Sequence, residues 1–535
     1  MVTSVTLLPA GFAVYVFPRF QMGAYYNRAS LQSHEAQANP HFQGVRVRPK
    51  ALLSFFLFAL TIGTISSQGQ IPESQPVSTT RLAAWLTGGI SSTRLAEMVR
   101  ERGLANLPTH HELEQMKAAG ADDGLMRVLS SGNALSAKIG REIPEGLVKA
   151  AVASREQHWE DAQKDLEPLV DADEGDPALH FALGVMLRQQ DQFDDAYDEL
   201  AAALKLMPDL AENHSAMSYL FYRLDDGPNA IAEARTALSI DPKNAEAYQF
   251  LGLSHYSLGQ YPAAVNAFHE ALLHDRDNPD TYYDLGIALH AGGNIPAAVA
   301  AYEKAIELRP GFWEAHSNLG LIRHEQGNLT EAVTQYQTAK KLAPEEASVR
   351  NNLGNTYCDQ GNFDAAIAEM NELYSKHPDW QQGHACLASA YMAKSNYDAA
   401  VDELRKAVHL NPAGANEHRA LGQALMLANK MDEAVHELRV SVSLNPDSDV
   451  AHHLLGTALF QQQDLKEAEQ QFREALRVKP SADNHYSLAA CLTSEDKYQE
   501  ALSELQLAAK LDPDRALYRA REEELLKVMK ENSAR

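Results

Sequence analysis

The sequence predicts an all-α solenoid, a fold in which short helix–turn–helix units stack along one direction. Three rows of residues carry this prediction: prolines, Leu-Gly pairs and alanines, each recurring every 34 residues or at a multiple of 34. The prolines are Pro208, Pro242, Pro310, Pro344, Pro378, Pro412, Pro446 and Pro480. A period of about 20–50 residues is typical of solenoids and related arrays, whose neighbouring units bury each other's apolar faces.

Each repeating unit is predicted to contain two helices. In residues 279–312, apolar residues recur at helical spacing on both sides of a Gly-Gly-Asn turn at 292–294. The small Gly286 and Ala298 let the two helix backbones approach closely, and Tyr302 fills the space above them. Neither helix can bury its apolar stripe alone, so the units must stack.

The repeats predict a division of the chain into segments. Ten clear repeats occupy residues 177–515, and a degenerate repeat at 143–176 matches only the second helix of the unit. The polar segment 516–535 is predicted to be a helix that caps the last apolar face. A small helical module is predicted at 78–132, where Ser, Thr and Asp residues start short helices and Gly residues end them.

Residues 1–70 are predicted to be a leader segment. Residues 1–80 carry five basic and two acidic side chains, which leaves 42 basic and 70 acidic side chains in the remainder. A basic cluster precedes the apolar run 51–65, and small polar residues follow it. The run is shorter than the roughly 20 residues of a membrane span but fits a signal peptide.

The leader leaves the expected location open, because fifty residues before the apolar run are too many for a simple signal peptide. We expect export, to a bacterial periplasm or cell envelope, with translation starting near Val45. A retained membrane anchor at 51–65 is one alternative, and it would give the only membrane association. A cytoplasmic protein is the other, if the leader is not translated.

Composition excludes several classes of protein. The chain has 47 basic and 72 acidic side chains, a net charge of −25, which argues against nucleic-acid binding. Three cysteines are too few for a disulfide scaffold or a four-cysteine zinc site. We find no catalytic motif, and we therefore predict a protein that is not an enzyme and has no cofactor or metal.

The repeat pattern resembles the tetratricopeptide repeat, in which a large residue, Leu-Gly, aromatic residues, alanines and proline follow in a fixed order. The resemblance covers residues 177–515 and implies a right-handed solenoid of about ten to eleven 34-residue repeats. Departures are local: Met217-Ser218 and Leu387-Ala388 replace Leu-Gly, and Arg276 replaces a proline.

The resemblance also implies a binding site. In this family the first helix of each repeat lines a concave groove, and its second, fifth, sixth and ninth positions face the ligand. The candidate groove residues at such positions are Tyr283, Asp284, Asn318, Asn351, Asn352, Asn355 and Arg419. Asparagine amides both donate and accept hydrogen bonds, which suits an extended peptide backbone.

Two function classes follow from the resemblance. The first is a non-enzymatic scaffold that holds partner proteins or peptides in the groove. The second is a regulatory or substrate-recruiting subunit of a transferase, because Asn318 and Asn352 resemble the start of the asparagine ladder in O-linked N-acetylglucosamine transferases. Its catalytic part would be on another chain. The lysines with which other members of the family hold a terminal carboxylate are missing here.

A row of histidines occupies the fourth position of seven repeats. These are His180, His214, His316, His384, His418, His452 and His485. Equivalent positions lie at least one helix apart, roughly 8–10 Å, so the row cannot bind one metal ion. We expect aromatic packing between helices, and we hypothesise that joint titration loosens the solenoid below about pH 6.

Overall fold

The computed structural model describes residues 76–131 and 142–533, which form 27 helices. The only β-type pairing among these residues is an isolated bridge between Val77 and Leu104. The predicted all-α solenoid is confirmed. The leader 1–70 and its apolar run 51–65 lie outside the described residues.

Four helices precede the repeats, and we call residues 77–131 the N-terminal module. They are α1 (Thr79–Thr87), α2 (Ser92–Arg102), α3 (His110–Ala118) and α4 (Asp123–Ser131). Ser78, Ser91 and Thr109 cap α1, α2 and α3 through their side-chain oxygens, because the first amides of a helix lack partners in the helix.

Eleven helix pairs follow. The first helices of the pairs are α5 (Glu145–Arg155), α7 (Pro177–Gln189), α9 (Ala211–Arg223), α11 (Ala245–Ser257), α13 (Pro279–Ala291), α15 (Trp313–Glu325), α17 (Ala347–Asp359), α19 (His384–Ala393), α21 (Ala415–Leu427), α23 (Asp449–Gln461) and α25 (Ala482–Ser494). The second helices are α6 (Trp159–Ala172), α8 (Phe193–Leu206), α10 (Gly227–Ile240), α12 (Tyr261–His274), α14 (Ile295–Leu308), α16 (Leu329–Leu342), α18 (Phe363–Lys376), α20 (Tyr397–Leu410), α22 (Met431–Leu444), α24 (Leu465–Val478) and α26 (Tyr498–Leu511). The last helix is α27 (Ala516–Ser533).

Every pair turns through one residue in the left-handed region of backbone space. Glycine occupies this place in four repeats, for example Gly293 at φ 81°, and polar residues occupy it in the others. Gln157, at φ 62°, makes the same turn in the degenerate repeat. That repeat therefore has both helices, although its sequence matches the pattern only in the second.

The helices of one pair pack through a small residue on the first and a larger residue sixteen positions later on the second. In four repeats the larger residue is aromatic, and the small one is then always glycine. A Cβ atom added to Gly286 would lie 2.6 Å from the Tyr302 ring, which is 1% exposed. Close packing at this position therefore depends on the missing side chain.

The described residues form two compact units, 76–315 and 316–533. The first unit contains an apolar cluster that runs from Val77 in the N-terminal module to Ala230 in α10. In the second unit, Leu525 of α27 is buried in the same cluster as residues of α25 and α26. Helix α27 thereby covers apolar surface of the last repeat.

Candidate functional site

The first helices of the repeats form the surface on which the candidate residues lie, and we call it the first-helix face. Within each unit, consecutive first helices contact one another, as α9 and α11 do in one unit and α17 and α19 in the other. The second helices instead make their main contacts with first helices. The first-helix face is therefore the more tightly packed side of each unit.

The candidate residues fall into two groups because the chain has two compact units. Tyr283 and Asp284 lie on α13 in the first unit. The second unit holds Asn318 on α15, the three asparagines of α17, and Arg419 on α21, two repeats further along. The prediction that these residues contact one ligand stays a prediction.

The asparagines of α17 differ in exposure. Asn351 is 2% exposed, and its Nδ2 donates a 3.5 Å hydrogen bond to Oδ1 of Asn352. Its own Oδ1 has no hydrogen-bond partner among the described residues. Asn352 and Asn355 are half-buried, as is Asn318 on α15. A ligand can therefore reach Asn318, Asn352 and Asn355 more readily than Asn351.

Asp284 and Tyr283 form an acidic and aromatic patch in the first unit. Gln249 Nε2 donates a 2.8 Å hydrogen bond to Oδ2 of Asp284. Burial raises the pKa of Asp284 to about 7, although this hydrogen bond lowers it. The Tyr283 ring packs against Phe312, with 4.9 Å between the ring centroids. The patch places a carboxyl group that titrates near neutral pH beside the half-buried ring of Tyr283.

The N-terminal module covers the first-helix face of the first repeats, which the sequence did not predict. Helix α1 packs against α5 and α7. A Cβ atom added to Gly88 would lie 2.6 Å from the Phe181 ring of α7. As a result, every residue of α7 from Pro177 to Arg188 is buried. This part of the face has no room for a partner.

Ion pairs also connect the N-terminal module to the next repeat. Arg94 of α2 donates a 2.7 Å hydrogen bond through Nε to Oε1 of Glu212, which is 4% exposed. The same guanidinium lies 3.5 Å from Asp241. No periodic signal links these residues, because Arg94 and Glu212 are 118 positions apart.

A disulfide joins two first helices of the second unit, and sequence reasoning missed it. Cys358 on α17 is bonded to Cys386 on α19, 28 residues later, with their Cα atoms 6.2 Å apart. A separation of 28 is six less than the 34-residue period. This places the two residues on facing sides of consecutive first helices, which was the signal available in the sequence.

The histidine row consists of paired side chains. In each of the seven repeats the histidine Nδ1 lies 2.5–2.8 Å from an oxygen of the side chain nineteen residues later. That partner is Glu in five repeats and Gln in those of His316 and His452. Arg350 occupies the histidine position of its own repeat. Its guanidinium contacts Glu369, nineteen residues later, and the carbonyl oxygen of Pro344.

The second ring nitrogen of three of these histidines also has a partner. Nε2 of His180, His214 and His418 lies 2.9–3.1 Å from a backbone carbonyl oxygen, which can only accept. Each of these rings therefore joins a glutamate of the second helix to the backbone that precedes the first helix. The hypothesis that joint titration loosens the solenoid below about pH 6 stays a hypothesis.

Glu403, the partner of His384, makes its pair sensitive to acid. Burial raises the pKa of Glu403, but hydrogen bonds from His384 and Lys406 outweigh burial and hold the pKa below its ordinary value. Such a carboxyl stabilises the fold above its unfolded pKa, and this is lost as the pH falls through the folded pKa. We therefore expect the urea-unfolding midpoint to fall as the pH drops below about 4, and less so in a variant that lacks Glu403.

Replacing Glu403 by Gln tests the pairing. Oε2 of Glu403 accepts from His384 Nδ1 at 2.7 Å, and Oε1 accepts from Lys406 Nζ at 2.7 Å. We expect Glu403→Gln to lower the free energy of unfolding at pH 7 by about 1–3 kcal/mol, because hydrogen bonds to charged groups are lost. The matched control is Gln471→Glu beside His452, which should cause no loss. Equal losses in urea unfolding of both variants would contradict the assignment.

Two features are absent from residues 76–131 and 142–533. These residues contain no group of three or more His, Cys, Asp or Glu side chains placed to hold a metal ion. No helix among them is both long and apolar enough to span a bilayer.

Stacked helix pairs with a 34-residue period define a helical repeat protein. The sequence profile of the tetratricopeptide repeat matches residues 147–211, 216–281, 251–311, 283–347, 318–381, 387–449 and 453–516. The chain belongs to the tetratricopeptide repeat family, because these matches cover more than half of it. The repeats make it a protein-interaction scaffold.

Several solved structures are similar to this chain. Yeast Tom70 is 17% identical with a TM-score of 0.31, covering 72% of this chain and 94% of that one. The pilF protein of Pseudomonas aeruginosa is 20% identical with a TM-score of 0.35, covering 38% and 93%. MamA is 28% identical with a TM-score of 0.28, covering 31% and 96%. No curated protein matches the chain.

Proposed function

We propose that the chain is a non-enzymatic scaffold that binds an extended segment of a partner polypeptide on the first-helix face of residues 316–533. The observation that carries the proposal is the row of half-buried amides, Asn318 on α15 and Asn352 and Asn355 on α17. An amide side chain can donate to a peptide carbonyl oxygen and accept from a peptide N–H group. Such contacts bind a backbone with little demand on its side chains.

The occupied surface of the first unit supports this placement. The N-terminal module buries α7 and reaches Glu212, so the face of the first repeats is filled by the chain itself. The asparagines of α15 and α17 lie in the other unit. The patch of Tyr283 and Asp284 belongs to the first unit, and the proposal does not depend on it.

The test is a selection of binding peptides on the full chain. Random 12-residue peptides displayed on phage are selected against it, and the dissociation constants of the best ones are measured. We expect the variant with Asn318, Asn352 and Asn355 all replaced by Ala to bind at least about tenfold more weakly, because each lost hydrogen bond contributes about 0.5–1.5 kcal/mol.

The matched control replaces amides away from the face. Gln470 on α24 and Gln499 on α26 are exposed on second helices. Their double replacement by Ala should leave binding unchanged, and neither variant should shift the thermal midpoint by more than a few degrees. Full affinity in the triple variant would exclude the asparagine face as the site. A transferase that recurs among proteins captured by the full chain would favour the recruiting-subunit alternative.

We also propose that the protein is exported to a periplasm or cell envelope. The basic cluster before the run 51–65 supports a signal peptide. The Cys358–Cys386 disulfide supports the same location, because disulfides persist in oxidising compartments. N-terminal sequencing of the mature protein is expected to begin after residue 65. A protein that retains Met1 would contradict cleavage.

A further inference from the structure

We propose that the Cys358–Cys386 disulfide is a redox-controlled cross-link that holds α17 and α19 in the arrangement that presents Asn352 and Asn355. The oxidised form keeps the two first helices together, and reduction releases them. The effect on partner binding rests on the proposed function, whereas the effect on the helices does not.

The cross-link lies beside the asparagines. Asn355 precedes Cys358 by three residues on α17, so the two share one side of the helix. Asn351, a further four residues back, packs its Oδ1 against Gly383, where an added Cβ atom would lie 2.8 Å away. Gly383 immediately precedes α19. The disulfide and the Asn351 contact therefore connect the same two helices.

Helix α19 depends on such support more than the other first helices do. It has 10 residues, whereas α17 and α21 have 13 each, and it begins after Gly383, which has φ 91°. Just before it, the buried Trp380 Nε1 and His377 Nε2 have no hydrogen-bond partners among the described residues. Elements with few satisfied contacts open at low free-energy cost.

Reduction changes the spacing that the two helices can adopt. Bonded sulfur atoms lie about 2 Å apart in any disulfide, whereas non-bonded heavy atoms need about 3.5–4 Å. Cys358 and Cys386 are 9% and 5% exposed, so two thiols at this place must find room inside packed surroundings. The nearest element that can move away to make this room is the short helix α19.

The chemistry is thiol–disulfide exchange with a small disulfide such as oxidised glutathione. The thiolate of one cysteine attacks a sulfur atom of the small disulfide, forms a mixed disulfide and releases one small thiol. The second cysteine thiolate then attacks the protein sulfur and releases the other. Two electrons pass from the cysteines to the small disulfide, and the two cysteine protons end on the released thiols. A dithiol such as reduced dithiothreitol reverses both steps.

The third cysteine provides the matched control. Cys491 on α25 is a buried free thiol, and burial raises its pKa to about 12. A thiol with so high a pKa forms little thiolate and exchanges slowly. Cys491→Ala should therefore respond to oxidant and reductant as the unmodified protein does in hydrogen exchange and in peptide binding.

The test compares the full chain equilibrated with oxidised glutathione and with reduced dithiothreitol. Alkylation under denaturing conditions, followed by mass spectrometry, should label only Cys491 in the oxidised form. Hydrogen exchange of the α17 and α19 amides should accelerate at least about tenfold on reduction, while α23 and α24 stay unchanged. The double variant C358A/C386A should exchange quickly under both conditions.

The peptides selected on the full chain supply the second readout. Their dissociation constants should rise about tenfold on reduction and should not respond to reductant in C358A/C386A. Alkylation of Cys358 or Cys386 in the oxidised protein, or unchanged exchange on reduction, overturns the cross-link. Accelerated exchange with unchanged peptide affinity overturns its control of binding. If exchange accelerates but no peptide can be selected, the cross-link stands and the proposed function fails.

Discussion

Replacing Trp85 by Ala is expected to lower the free energy of unfolding of residues 76–315 by about 3–5 kcal/mol, as for other large core residues. Trp85 is 1% exposed in α1 and lies in the apolar cluster that the N-terminal module shares with the first repeats. The loss should be measured by urea unfolding, with hydrogen exchange to locate it. Amides of α7 should lose protection together with those of α1, because the two helices pack together.

The effect should stay local. Solenoid stability is roughly a sum over neighbouring repeats, so α23 to α26 should keep their protection in the Trp85 variant. The control is Leu107→Ala in the same module, because Leu107 is 55% exposed and should change stability by no more than about 0.5 kcal/mol. Full protection of α7 in the Trp85→Ala variant would show that the module does not support the repeats.

Replacing Gly286 by Ala is expected to cost about 2–3 kcal/mol, although alanine favours helices more than glycine does. The added Cβ atom would lie 2.6 Å from Cε1 of Tyr302, and that ring is 1% exposed and cannot move aside. Thermal and urea unfolding of the full chain should show the loss, and exchange should place it in α13 and α14.

The chain itself contains the compensating pair. Three repeats after Gly286, the same position in the repeat is occupied by Ala388. The position of Tyr302 is occupied there by Leu404. Ala388 and Leu404 lie in one apolar cluster. The double variant Gly286→Ala/Tyr302→Leu should therefore be more stable than the sum of its single changes predicts. Strict additivity in the double-mutant cycle would contradict direct contact as the cause.

The fold could be predicted because every repeat needs the same residue types at its helix contacts and helix ends. The Leu-Gly pair, the alanine and the proline recur where two helices must touch and where the second must end. One irregular unit therefore cannot conceal the period. The degenerate repeat shows the limit, because its first helix α5 lacks the pattern and is visible only in the structure.

The candidate site could be predicted less well, because it depends on contacts that no period describes. Gly88 belongs to the N-terminal module and Phe181 to the first helix of a repeat, so their contact has no counterpart in the repeating pattern. The burial of Asn351 likewise depends on Gly383, where α19 departs from its neighbours by starting late. Position in the repeat places the candidate residues on the first helices, but local irregularities decide how far each of their side chains is exposed.

The turns between paired helices affect the stability of the protein. Seven of them use residues other than glycine in the left-handed conformation, among them Asp191, Ser395 and Gln463. An L-residue with a side chain adopts this conformation at a cost of roughly 1–2 kcal/mol, less for Asn and Asp. Substitution by glycine at these seven turns is therefore expected to raise the free energy of unfolding. Because the turn recurs in every repeat, a protein engineer can make the same change at several equivalent places.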